Sequence, residues 1–305
     1  MKKALVIILT VVIMAAVVCG CVLWYNLATR DVPDNEIETE PIFTFENYPR
    51  VDASLAIHPL VDSIAADFLG TEESELDFEY TETRTSEVYH NLIDGKVDVI
   101  FAAEISPEDE AYAKEQGVEL EIIPATSSAF VFIVNKENPV DELSFEEIQK
   151  IYTGEITNWS QVGGKDAEII PYQRPKGSGS QTAMLSLVMK EKQIKEPPMS
   201  EVQGAMGELI DAVAEYDNAE NAIGYSYFYY VNTMYKRDTI KMLAVDGVEP
   251  SIETIKSGKY PIYTNGFIVL KKNSPKDSPE RKWAEAVLSE RGSKIIEDEG
   301  YVPVN

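Results

Sequence analysis

The run Arg174-Pro175-Lys176-Gly177-Ser178-Gly179-Ser180 sets a guanidinium, an ammonium, two glycines and two hydroxyls directly ahead of an apolar stretch that begins at Gln181. Ser178 stands where an N-cap belongs, with Gln181 three residues further on. The amides of Gly179, Ser180 and Gln181 then open a helix; such amides lack intrahelical partners and carry partial positive charge. Glycine lets a ligand come close to the backbone, and Arg174 adds a planar fork of donors suited to a tetrahedral oxyanion. The chemistry these residues predict is anion capture, with Arg174, Ser178, Gly179 and Ser180 as contacts. The plainer alternative is a surface helix start whose arginine pairs with one of many acids.

Two other stretches have the same grammar. In "DASLAIHPL" a strand end with Ser54 and Leu55 runs into a helix whose first residue is expected to be Pro59. In "TRTSEVYHNL" Thr85 or Ser86 can cap the helix that follows. Ligands of doubly wound α/β domains collect at the carboxyl ends of strands, where helices begin. All three stretches occupy that position, so one shared site is expected.

Other chemistries find little support. The chain has two histidines, His58 and His90, and two cysteines, both near the N-terminus, so no zinc cluster is expected. "GSGSQ" sets its serines one place away from the G-x-S-x-G pattern, and no G-x-x-x-x-G-K-[ST] loop is present. A secreted phosphate-ester hydrolase using Ser178 or Ser180 would lack an evident base. No enzyme activity, cofactor or metal is expected.

The elements that must position these residues alternate strand-like and helix-like segments. "VDASLAI", "LDFEY", "VDVIFAAE", "LEIIP" and "AFVFIVN" read as strands, with helices at "PLVDSIAADFLG", "SEVYHNLIDG" and "PEDEAYAKEQG". A second series follows Asn138-Pro139: Ser144 with Glu147 forms a capping-box pattern, "AEIIPYQ" and "AIGYSYFYYV" are strands, and "SQTAMLSLVMK" and "MGELIDAVAEY" are helices. "YPIYTNGFIVLKK" reads as a long strand and "PERKWAEAVLSERGSKIIEDEG" as one or two helices. This is α/β patterning.

With 305 residues and 44% hydrophobic content, the chain has material for a large core and two domains. It carries 52 acidic against 27 basic residues, a net charge of −25, which argues against nucleic acid as a partner. Residues 1–26 hold Lys2 and Lys3 ahead of an uncharged run, an export segment. Val18-Cys19-Gly20-Cys21 resembles the bacterial lipobox, which predicts lipidation at Cys21; an uncleaved membrane anchor is the alternative. Residues 27–46 are acidic and lack a helical period, as suits a linker.

From about Tyr48 to Val304 the chain resembles the phosphate-binding proteins of bacterial ABC transporters, which have the type II periplasmic-binding-protein fold. The likeness is most specific in "IYTGEITNWSQVGG", in Arg174 to Ser180, in "AIGYSYF" and in "GSKIIEDEGYVPV". The resemblance implies a two-domain α/β protein that is expected to be monomeric. Its first domain would comprise 47–128 plus 263–305 and its second 129–262, with hinge crossovers near "SSAFVFIVN" and "YPIYTNGF". It further implies that inorganic phosphate is captured between the domains and delivered to an ABC permease outside the cell membrane. A receptor of the same fold that senses another anion or small solute is the alternative.

By the same resemblance the first phosphate loop falls on "YPRVDASLAIHPL". There Ser54 remains, while Ala53, Leu55 and Ile57 replace the usual glycine and threonines. The second loop maps to Thr85 and Ser86, and an aspartate that accepts a hydrogen bond from the protonated anion maps near Glu104.

Overall fold

The computed structural model describes residues 40–78, 80, 84–215 and 219–304. The expected export segment with Cys21, and the linker up to residue 39, lie outside the described residues.

Strands β1 (Val51–Ala53) and β2 (Val99–Ala102) pair in parallel, with helices α1 (His58–Leu69) and α2 (Thr85–Ile93) between them in the chain. Parallel neighbours need such a crossover. The period of two along β2 decides which helix meets which face. Val99 and Phe101 join a core with Leu60, Ile64 and Phe68 of α1, whereas Ile100 and Ala102 join Val88, Tyr89 and Leu92 of α2. All four β2 residues are buried, as a strand covered on both faces requires.

After α3 (Pro107–Glu115) comes β3 (Leu120–Asn135), which fuses the strands expected at "LEIIP" and "AFVFIVN" into one of 16 residues. The register shifts between Pro124 and Thr126, and such a bulge is where a strand tolerates proline. The chain continues through β4 (Glu142–Leu143), α4 (Phe145–Thr153), β5 (Ile170–Pro171), α5 (Gly179–Ala183), α6 (Met206–Glu215) and β6 (Ala222–Tyr227). It ends with β7 (Ile240–Met242), β8 (Ala244–Val245), α7 (Ile252–Lys256), β9 (Tyr263–Lys271), α8 (Pro279–Val287), α9 (Glu290–Asp298) and β10 (Val302–Pro303).

β3 changes partners along its length. Leu120 to Ala129 run antiparallel to β9, which also pairs with β2; Phe130 to Val134 run antiparallel to β6, and Ile133 to Asn135 also pair with β7. The strand order is β1-β2-β9-β3-β6-β5. One group of elements packs around Leu60, Phe101 and Trp283, and the other around Phe132, Tyr152, Trp159, Leu209 and Tyr225. The α/β architecture expected from the sequence is the one found.

Several local expectations are corrected. β1 stops at Ala53 because Ser54 opens a tight 3-10 turn, Leu55–Ile57, that leads into α1; Pro59 is therefore the second helical residue and not the first. Leu76 to Phe78, within the expected strand "LDFEY", belong to no strand. β6 ends at Tyr227, and the rest of its aromatic run enters helical turns. The capping box of α4 forms as expected: Ser144 Oγ accepts from the Glu147 amide at 3.2 Å, and the Glu147 carboxylate accepts from the Ser144 amide at 2.8 Å.

Candidate anion-binding site

Ser178 caps α5. Its Oγ accepts from the Gln181 amide at 3.3 Å and donates to the Pro175 carbonyl at 2.9 Å. Gly177 makes the turn before it with φ 82°, a left-handed conformation that glycine adopts without steric cost. The helix continues past Ala183 in wider π turns, Met184–Met189. Gln181 reaches back from α5, and its Oε1 accepts from the Arg174 amide at 3.2 Å and from the Tyr225 hydroxyl of β6. That hydroxyl also accepts from the Arg174 amide at 2.9 Å. The backbone carrying the arginine is thus tied both to the helix it precedes and to the strand beneath.

Gly179 is a point of close approach. A Cβ there would lie 2.7 Å from Thr85 Oγ1 and 3.2 Å from the Tyr227 hydroxyl. This brings the start of α5 against the start of α2. Ser54 joins them, its Oγ lying 3.3 Å from Thr85 Oγ1 and accepting from the Ala103 amide at 3.2 Å. The three helix starts marked by the sequence therefore meet around one cavity of ≈ 380 Å³.

Of the expected site residues, Ser54, Leu55, Thr85, Arg174, Ser178 and Gly179 line that cavity, and Ser86, Glu104 and Ser180 do not. Arg84, with an extended backbone, is the N-cap of α2, so Thr85 and Ser86 are its first helical residues and do not cap it. The Ser86 hydroxyl turns away to Asp109 Oδ1, while its amide donates to the Gly177 carbonyl at 3.2 Å. Ser180 is fully buried behind the first turn of α5. The Glu104 carboxylate accepts from Ser186 Oγ at 2.5 Å. His58 is structural: its Nε2 donates to the Ala53 carbonyl at 2.8 Å and its ring stacks on Tyr80.

Arg174 dominates the electrostatics. It is only 6% exposed, and its Nε and Nη1 have no hydrogen-bond partner among the described residues. Burial pushes its pKa down, the sign of a cation held away from water, and the charges of Glu208 and the neighbouring phenols offset this only in part. Unused donors on a buried charge are costly unless a ligand supplies acceptors. The Tyr227 hydroxyl and Asn265 Oδ1 also line the cavity without partners. Burial pushes the Tyr227 phenol up as well, so it keeps its proton.

Sequence reasoning missed Arg84, Tyr227 and Asn265. Arg84 adjoins the expected cap, Tyr227 falls at the end of "AIGYSY", and Asn265 lies in the expected crossover; nothing in their spacing marks them as facing a ligand. The arrangement as a whole offers a buried guanidinium, an exposed second one, hydroxyls and helix-start amides, which together suit a small oxyanion.

Comparison with known proteins agrees with this geometry. The phosphate-binding protein PstS of Bacillus subtilis (strain 168) is 24% identical over 307 residues, covering 99% of this chain and 94% of its own. That of Borreliella burgdorferi is 28% identical over 220 residues, covering 70% of this chain and 76% of its own. A crystal structure of a candidate phosphate ABC transporter substrate-binding protein from Clostridium perfringens, with bound phosphate, superposes with a TM-score of 0.66 at 27% identity, covering 85% of this chain and 100% of the other. The model of the PBP superfamily domain matches residues 50–291, and the chain belongs to that superfamily.

Proposed function

We propose that the protein is an extracytoplasmic solute-binding protein that captures inorganic phosphate in this cavity and delivers it to an ABC permease. The observation that carries the reading is the buried Arg174 guanidinium, whose Nε and Nη1 lack partners where three helix starts converge. The phosphate-binding relatives and the phosphate-bound neighbour support the choice of anion. Ser54, Leu55, Thr85, Arg174 and Gly179 serve as contacts, the apolar Leu55 through its backbone, while Ser178 holds the helix start in place. Ser178 is fully engaged as a helix cap, which suits binding and not nucleophilic attack.

Residues 47–128 plus 263–305 and residues 129–262 act as two lobes, with β3 and β9 as the crossovers about which they close on the anion. Tyr229 stacks on Tyr301 at 3.7 Å and Lys256 Nζ lies 2.8 Å from Glu297 Oε1, contacts that would seal the closed form. The export segment attaches the body to the outside of the cell membrane through lipidated Cys21. Calorimetric titration with sodium phosphate tests the binding, and the absence of a saturable one-to-one isotherm would refute it. An N-terminal peptide that begins at Met1 with Cys21 unmodified would refute the lipid anchor.

A further inference from the structure

The loop after β1 brings one side-chain hydroxyl to the cavity, and the protein already uses it. Ser54 Oγ accepts from the Ala103 amide at 3.2 Å and lies 3.3 Å from Thr85 Oγ1, so the Ser54 and Thr85 hydroxyls are partly committed to each other. The neighbouring Ala53, Leu55 and Ile57 have no side-chain donor.

Tyr227 ends β6 and lines the same cavity. Its hydroxyl and Thr85 Oγ1 lie 3.2 Å and 2.7 Å from one point, the position that a Cβ on Gly179 would take, so both flank the first turn of α5. The ring is held in place: the strand register sets Tyr227 opposite Phe130 of β3, and the two rings meet edge-on with centroids 5.9 Å apart. Tyr227 is only 9% exposed, yet its hydroxyl has no hydrogen-bond partner among the described residues. A buried polar group in this state costs free energy until something pairs with it. Burial first, and the Glu104 charge second, raise the phenol pKa against the pull of Arg174, so the group presented is O–H and not an oxyanion that would repel the ligand.

We infer that the Tyr227 hydroxyl donates a hydrogen bond to the anion held at the start of α5, supplying a side-chain donor that the loop after β1 lacks. A protonated phenol has one hydrogen to give, and a bond to a charged acceptor is stronger than one between neutral groups. Packing has already fixed the ring, so little side-chain freedom is lost on binding. The inference rests on the reading of the cavity as an oxyanion site and adds a contact to it.

The test is calorimetric titration of the full chain with sodium phosphate, on the parent and on Tyr227→Phe, together with thermal unfolding of both proteins without phosphate. The substitution keeps the ring and removes only the hydroxyl. Kd should rise at least about tenfold, as for one lost hydrogen bond to a charged group. The phosphate-free midpoint should stay within about 3 °C of the parent's or rise, because the hydroxyl removed leaves no protein partner stranded. A rise in Kd of less than about tenfold, with phosphate bound by the parent, overturns the inference and leaves the oxyanion site standing. A phosphate-free midpoint lower by more than about 3 °C overturns it too, by making the hydroxyl a structural group. Absence of phosphate binding by the parent overturns the oxyanion reading itself.

Discussion

The backbone amide of Arg174 donates to the Tyr225 hydroxyl at 2.9 Å, and that hydroxyl donates in turn to Gln181 Oε1. A fully buried phenol on β6 thus holds the turn that aims the guanidinium. Tyr225→Phe keeps the ring packing and removes the bond, leaving buried polar groups short of a partner. Unfolding by urea should show a loss of about 1–3 kcal/mol. Phosphate affinity should fall with it, because the arginine loses its support. Stability and affinity equal to the parent's would remove Tyr225 from any positioning role.

Arg174→Met separates binding from folding. The substitution removes a buried cation and keeps apolar bulk. Phosphate binding should weaken by about 2–4 kcal/mol, the range for truncating a buried, charge-assisted contact. Without phosphate, the thermal midpoint should stay level or rise, since replacing a poorly compensated buried charge with packed apolar groups is often neutral or stabilising. A large fall in the ligand-free midpoint would show that Arg174 holds the fold together.

Gly179→Ala tests the close approach of α5 and α2. A methyl group at 2.7 Å from Thr85 Oγ1 forces the Thr85 side chain or one of the two helix starts to shift. Over-packing of this kind costs about 1–3 kcal/mol, and the displaced Thr85 and Tyr227 should also reduce phosphate affinity. Calorimetry and urea unfolding read the two effects. An unchanged phosphate isotherm would mean that these helix starts need not touch for binding.

The start of α5 was legible in the sequence because capping is a local rule: Ser178 takes the Gln181 amide as its spacing predicts, although the Gln181 side chain closes no capping box and turns to Arg174 and Tyr225. Arg174 was legible as the arginine beside a glycine-rich helix start. The fusion of "LEIIP" and "AFVFIVN" into β3 was not, because its partners β9 and β6 lie far away in the chain and decide where it continues. Nor were the directions of Ser86 and Glu104. A side chain's choice between a cavity and a neighbour such as Asp109 or Ser186 depends on tertiary packing, which residue type and spacing do not encode.

The ion pair of Arg50 and Asp98 predicts a small acid-side loss of stability. The guanidinium meets the carboxylate through Nε at 3.0 Å and Nη2 at 2.6 Å, and the Arg50 amide adds a bond of 2.9 Å. Partial burial alone would raise the Asp98 pKa, but these bonds from Arg50 outweigh it and hold the carboxyl below its usual value. A depressed carboxylate stabilises the fold above its unfolded pKa of about 3.9, and that contribution disappears as pH falls through the folded value. Arg50 is largely exposed, so Asp98→Asn should cost at most about 1 kcal/mol at neutral pH and nothing once the pH has fallen below the folded value. Equal destabilisation of Asp98→Asn at both pH values would show that packing, and not charge, is responsible.

The bond from Ser186 to Glu104 gives the most direct test of lobe closure. If it forms only when the lobes meet, breaking it lowers the closed population without touching the anion's own contacts. Ser186→Ala and Glu104→Gln should then weaken phosphate binding by similar amounts, and the double variant should lose little more than either. The coupling between them should be about 0.5–1.5 kcal/mol, the size of one hydrogen bond at a partly exposed site. The loss should lie in faster dissociation, since the open form presents an unaltered cavity to the incoming anion. Stopped-flow measurements on the four proteins decide it. Strictly additive effects, or a change confined to the association rate, would mean that Glu104 and Ser186 do not act together in closing the cleft.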